Sequence, residues 1–152
     1  MSFPGLYLST QGRINRGKWW LGIVCASLAA VVLYWIMIRT LDFDRMLYTF
    51  SGRLTVFVVN IATIAALYSV NAKRFQDRNK PKTYALIAFG IGGFKAVLDL
   101  LGITGDWFGP NMGDTVFQVI LTIIGIWYLV ELGFLRGTAG PNDYGPDPLQ
   151  RP

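Results

Sequence analysis

The chain has 152 residues, of which 53% are hydrophobic and 15% charged, with a net charge of +5. The absence of histidine removes the commonest metal ligand and the usual neutral-pH base, and a single cysteine, Cys25, excludes an internal disulfide or a multi-thiolate metal site. The positive charge is divided among short segments that flank apolar runs, a pattern that reports membrane topology and not a nucleic-acid partner.

Residues 1–18 form a polar lead carrying Arg13, Arg16 and Lys18. The run that follows, residues 19–38, is free of charge and long enough to cross a hydrocarbon core of roughly 30 Å as a helix. It is too long for a signal-peptide core and continues past its one small-residue site, so a retained first span is expected. Residues 54–70 form a second span, and the segment 71–82 reads as a basic loop with Lys73, Arg74, Arg78, Lys80 and Lys82 around Asp77. A third span covers residues 83–101, with Lys95 and Asp99 inside it. A base-free loop at 102–114 includes Asp106 and Asp114, and a fourth span covers 115–135, with Glu131 near its end. The tail, 136–152, is rich in Gly and Pro and is expected to be extended or turn-like.

The expected fold is therefore all-α: a single membrane domain over 1–152, built as an antiparallel four-helix bundle with short loops. The lead, second loop and tail together hold ten Lys and Arg, whereas the first and third loops hold three. The positive-inside rule then puts both termini in the cytoplasm.

Small residues mark the faces on which helices pack. Ala88, Gly92 and Ala96 repeat every fourth residue in the third span, which lets another backbone come close. Lys95 and Asp99 fall on the same stripe and are spaced to meet as an ion pair. Each charge costs about 2.5–3.5 kcal/mol at the bilayer centre, so this face points into protein or a wet cavity. In the second span Ala62, Ala65, Ala66 and Ser69 share a side nearly opposite Asn60. In the fourth, Gln118, Thr122, Gly125 and Leu129 share a stripe, with Glu131 elsewhere. Lys95 and Glu131 lie about 12 Å apart in depth, too far for a direct bridge.

Three segments resemble one family. Gly12-Arg13-Ile14-Asn15-Arg16-Gly17-Lys18-Trp19-Trp20 is similar to its opening Gly-Arg-x-x-Arg-x-x-Phe/Trp-Trp pattern. Lys73-Arg74-Phe75-Gln76-Asp77 is similar to its Arg-Arg-Leu-His-Asp loop. The segment from Gly137 to Pro148 resembles its closing Gly-Thr-x-Gly-x-Asn-x-Tyr-Gly-x-Asp-Pro signature. The family is domain of unknown function 805, the YhaH-like bacterial inner-membrane proteins. Gln76 stands where the family carries a histidine, so no proton-transfer or metal role passes to that position. Lys82-Thr83-Tyr84 replaces its usual Gly-Trp-Trp. The resemblance implies a fold and a location and lends no activity.

Two clusters carry the candidate chemistry. Arg13, Arg16, Lys73, Arg74 and Asp77 are expected on one membrane face, where Arg13, Arg16, Arg74 and Asp77, with Asn142 and Tyr144 of the tail signature, form a cytoplasmic cap in which Asp77, Asp143 or Asp147 accepts from arginine. Arg78, Lys80 and Lys82 read as bases attracted to anionic lipid. Lys95 and Asp99 form the second cluster, either a self-neutralising structural pair or part of an ion pathway. No phosphate loop, nucleophile–base pattern or metal-ligand cluster is visible, so neither enzymatic activity nor a cofactor is expected. The expected partners are membrane lipid, further copies of the chain or other membrane proteins.

Overall fold

The computed structural model describes residues 3–105 and 111–150, so Asp106, within the third loop, lies outside the described residues. Six helices follow in order: α1 Phe3–Tyr7, α2 Arg16–Leu41, α3 Phe43–Tyr48, α4 Phe50–Asp77, α5 Ala85–Leu100 and α6 Met112–Tyr128. A 3₁₀ turn, Lys82–Tyr84, leads into α5, and a π-helical segment, Leu129–Phe134, prolongs α6. Among the described residues four stretches are long and apolar enough to cross a membrane: Arg16–Leu41, Phe50–Asp77, Lys82–Leu100 and Met112–Phe134.

Side-chain caps fix where the long helices start. Asn15 accepts from the Lys18 amide at 2.9 Å, Thr49 from Gly52 at 3.1 Å and Asn111 from Asp114 at 2.9 Å. Each satisfies one of the amides that an α-helix leaves free at its first turn. Gly52 is required for a second reason. A Cβ there would collide with the Arg45 carbonyl oxygen, so the close turn of α3 onto α4 admits only glycine.

α4 corrects the expected boundaries most. No helix breaker interrupts residues 50–77, and the helix runs through the stretch read as a basic loop. It ends where Asn79 adopts a left-handed conformation (φ 57°) and Pro81 follows. With 28 residues it is about 42 Å long, more than a hydrocarbon core of roughly 30 Å needs. The lead also folds partly, as α1, and α3 occupies what read as the first loop.

Apolar side chains along the spans face outward: Val31 is 63% exposed and Ile123 62%. The packed core sits at one end, where Ile14, Trp19, Val70, Phe75, Tyr128 and Leu132 bury one another. Charged residues are buried there too, including Arg13, Lys73, Arg74, Asp77 and Glu131. α2 meets the π-helical segment at this end, with Trp19 and Trp20 lying against Gly133 and the Trp20 ring 6.2 Å from that of Phe134. At the opposite end a cavity of about 630 Å³ opens among α2, α3, α4, α5 and α6. The bundle is closed by a cap at one end and open at the other.

Candidate functional site

The cap is centred on Asp77, the last residue of α4. Its carboxylate accepts from Arg13 Nε at 3.1 Å through Oδ1 and from Arg74 Nη1 through Oδ2. All three side chains are almost fully enclosed. Burial of two guanidinium groups is tolerated because nearly every remaining N–H finds a carbonyl. Arg13 donates to Thr138 O at 2.7 Å, Gly140 O at 2.8 Å and Gly145 O at 3.0 Å. Arg74 donates to Leu132 O at 2.8 Å and Leu135 O at 2.6 Å. The wide π-helical turn places those two carbonyls within its reach.

The tail completes the cap by taking over the free carbonyls at the end of α4. The Thr138 amide and hydroxyl each donate to Asp77 O at 2.8 Å, and Asn142 Nδ2 donates to Gln76 O at 2.9 Å. Gly137 lies against the Asp77 carboxylate so closely that a Cβ would overlap it. Tyr144 takes part through its amide, which donates to Asn142 Oδ1 at 2.9 Å. Asp147 accepts from the amides of Gly140 and Leu149 and not from an arginine. Those two hydrogen bonds, first from Leu149 and then from Gly140, hold its carboxyl below the usual aspartate range. Arg16 is peripheral, exposed and bonded to Phe134 O at 3.0 Å. Of the six expected cap residues, Arg13, Arg74, Asp77 and Asn142 meet at the end of α4, with Asp77 accepting from both of these arginines; Tyr144 joins through Asn142, Arg16 stays at the edge, and Asp143 is outside the acceptor role.

The sequence places Lys73 and Glu131 at this end but does not reveal their partners. Glu131 receives Arg78 Nε at 2.7 Å and Lys80 Nζ at 2.5 Å, so these two bases are held by protein, which corrects their assignment to lipid. Lys73 is fully buried and donates to Gly5 O and Leu6 O, both at 2.6 Å, fastening the end of α1. Trp19 Nε1 donates to Asn71 Oδ1 at 2.9 Å. One available signal was the antiparallel order of the spans, which sets Glu131 at the depth of the second loop.

The second cluster lies at the open end. Lys95 Nζ sits 2.8 and 2.9 Å from the two Asp99 oxygens and 3.0 Å from Asp114 Oδ1. Thr104 Oγ1 donates to Asp99 at 2.5 Å, and the Gly105 amide donates to both Asp114 oxygens at 3.1 Å. The expected pair is therefore part of a knot that ties the end of α5 to the start of α6. Asp114 was missed as a partner, although the third and fourth spans are adjacent and antiparallel. Ala88, Gly92 and Ala96 turn toward α4: the Cβ position of Gly92 is 3.4 Å from Ile64, and Ala96 is buried. Asn60 lines the cavity and accepts from the Tyr34 hydroxyl at 2.7 Å, whereas on the other side Ser69 is buried, Ala66 half-buried, and Ala62 and Ala65 exposed.

A second cavity, of about 450 Å³, adjoins the first at Asn60, Lys95, Ala96 and Asp99 and continues to Asn71 and Tyr128. Beyond it the rings of Phe75, Tyr84, Trp127 and Tyr128 pack against one another with centroids 5.1–6.2 Å apart. Among the described residues no group of three His, Cys, Asp or Glu side chains converges as metal ligands would.

These features define a class: an all-α chain with four helices able to cross a membrane, closed at one end by a buried ion-pair cap. The family described as Protein of unknown function (DUF805) matches residues 7–146, and the chain belongs to it. No curated protein and no solved structure matches the chain.

Proposed function

We propose that this chain acts by association within a bacterial inner membrane, as a homo-oligomer or as an accessory subunit of a larger membrane complex, and not as an enzyme. An exposed stripe of α6, bordering the cavities that Gln118 and Gly125 line, carries this reading. Gln118 and Thr122 are exposed there, and Gly125, one turn on, has open space where a Cβ would stand. Gly90 and Gly93 of α5 likewise face nothing within 4 Å. Small residues beside an amide and a hydroxyl are what helices in lipid use to approach one another. Native mass spectrometry after gentle detergent extraction tests this, together with disulfide cross-linking of Gly125→Cys in a Cys25→Ser background. We expect a defined complex and a cross-link at 125 that is absent for the lipid-facing control Val31→Cys. A chain that stays monomeric, without a stoichiometric companion, refutes the reading.

The cavity around Lys95 and Asp99 supports a second reading, a small ion or solute channel or transporter. The aromatic packing at the cap end weighs against it, because the path from the cavity meets closed rings. Ion flux in liposomes decides: flux abolished by neutralising Lys95 and Asp99 together favours conduction.

A further inference from the structure

Among the described residues that line the open cavity, one cation is not used by the knot. Arg53, in the first turn of α4, lines it together with Lys95, Asp99 and Asp114. Lys95 is saturated by three carboxylate oxygens. Arg53 is not: Nη2 reaches Tyr48 O only at 3.4 Å, and its buried Nε meets no acceptor among the described residues. The guanidinium is held in place by the backbone opposite. Gly102 has a φ of 72°, and a Cβ there would collide with Arg53 Nη1. A guanidinium on the cavity wall whose hydrogen-bonding capacity is largely unused by the described residues is suited to an acceptor that enters the cavity.

Among the described residues the cavity carries charges of both signs. The knot sets two carboxylates against one ammonium and is negative, while the Arg53 guanidinium is positive. Much of the remaining wall is apolar, with Met46, Val56, Phe57 and Val119 beside the neutral amides of Asn60 and Gln118. The mouth reaches the lipid-facing surface, since Gln118 and Val119 line it and are exposed. Gln118 is the seventh residue of α6, which sets the mouth about 9 Å along the span. The volume, about 630 Å³, falls in the range of small-molecule sites.

We propose that this cavity binds the headgroup of a zwitterionic phospholipid, its phosphate on Arg53 and its ammonium toward Asp99 and Asp114, with the acyl chains leaving past Val119. An anionic lipid offers nothing to the negative knot, and a free solute makes no use of the apolar wall or the lateral mouth. The site lies within one chain, and its mouth borders at Gln118 the α6 face proposed for association, so oligomeric state and bound lipid are read in the same native spectrum.

The test uses the full-length chain, delipidated in detergent and exchanged with phosphatidylethanolamine, phosphatidylglycerol or diacylglycerol, with bound lipid read by native mass spectrometry. Phosphatidylethanolamine should be retained about tenfold better than either of the others, the scale of one charge-assisted hydrogen bond. Arg53→Gln should reduce that retention about tenfold. Val119→Trp, which fills the mouth and leaves every charge in place, should reduce it similarly, and it carries the test alone if Arg53→Gln fails to fold. Equal retention of all three lipids, or retention unchanged in Val119→Trp, overturns the proposal. Phosphatidylglycerol held as tightly as phosphatidylethanolamine would make the site simply anion-binding and also overturns it. So would free phosphoethanolamine competing as well as the intact lipid, which would assign the site to a soluble zwitterion.

Discussion

Asp77 shows how one carboxylate can organise a membrane protein outside the hydrocarbon. It joins the lead through Arg13, its own helix through Arg74, and the tail through its main-chain oxygen. With the side chains of Arg13 and Arg74 almost fully enclosed, removing the acid strands two positive charges in a space that water does not reach. Asp77→Ala should therefore cost about 3–5 kcal/mol, the range for breaking a buried ion pair from one side. Arg16→Ala removes one exposed hydrogen bond and should cost about 1 kcal/mol or less. Unfolding midpoints of the two variants in the same detergent check the difference. Equal losses would mean that Asp77 is not the centre of the cap.

At the scale of elements, the tail behaves as the C-cap of α4 supplied from 61 to 66 residues away. Thr138 and Asn142 satisfy its last carbonyls, and Asp147 closes the tail's own turn through the amides of Gly140 and Leu149. Because Asp147 has a folded-state pKa below its unfolded value of about 3.9, its contribution is present above pH ~4 and is lost as pH falls through the lower folded value. Amide exchange at Gly140 and Leu149 should thus stay protected at pH 5 and rise, relative to intrinsic exchange, in an acid titration below about pH 4. Asp147→Asn should remove the pH dependence. The tail's turn-like character was legible in its Gly and Pro content, and the four spans in their charge-free runs. The end of α4 was not: a run with Lys73, Arg74 and Asp77 reads as solvated loop unless one knows that Gly5, Leu6, Leu132 and Arg13 supply the partners. Those partners come from three other segments, and no local pattern brings them together. The Lys95–Asp99 pair was legible from its i, i+4 spacing alone, whereas Asp114 required knowing how α6 is set against α5.

Over the whole molecule the usual distribution of polarity is inverted. The spans turn apolar side chains outward, and the best-packed volume is a charged cap from which helices spread toward an open cavity. In lipid the outward surface costs nothing, since hydrocarbon solvates it as well as a protein core does. Order is instead concentrated where α1, α4, the π-helical segment and the tail converge. Such an asymmetric body has two ends that differ in charge as well as in packing. Arg13, Arg16, Lys73, Arg74, Arg78 and Lys80 all lie at the cap, and translocating that cluster is unfavourable. The cap should therefore face the cytoplasm, with the α5–α6 connection on the other side. Single cysteines in a Cys25→Ser background test the orientation, one at exposed Asp143 in the tail and one at exposed Met112 at the start of α6. In intact cells of a bacterial host a membrane-impermeant maleimide should label Met112→Cys and leave Asp143→Cys unmodified until the membrane is opened. The reverse pattern would place the cavity on the cytoplasmic side and break the link between the basic cap and topology. Labelling of both in intact cells would mean that α2 to α6 do not cross the membrane four times, because an even number of crossings puts the tail on the side of the lead and Met112 opposite it.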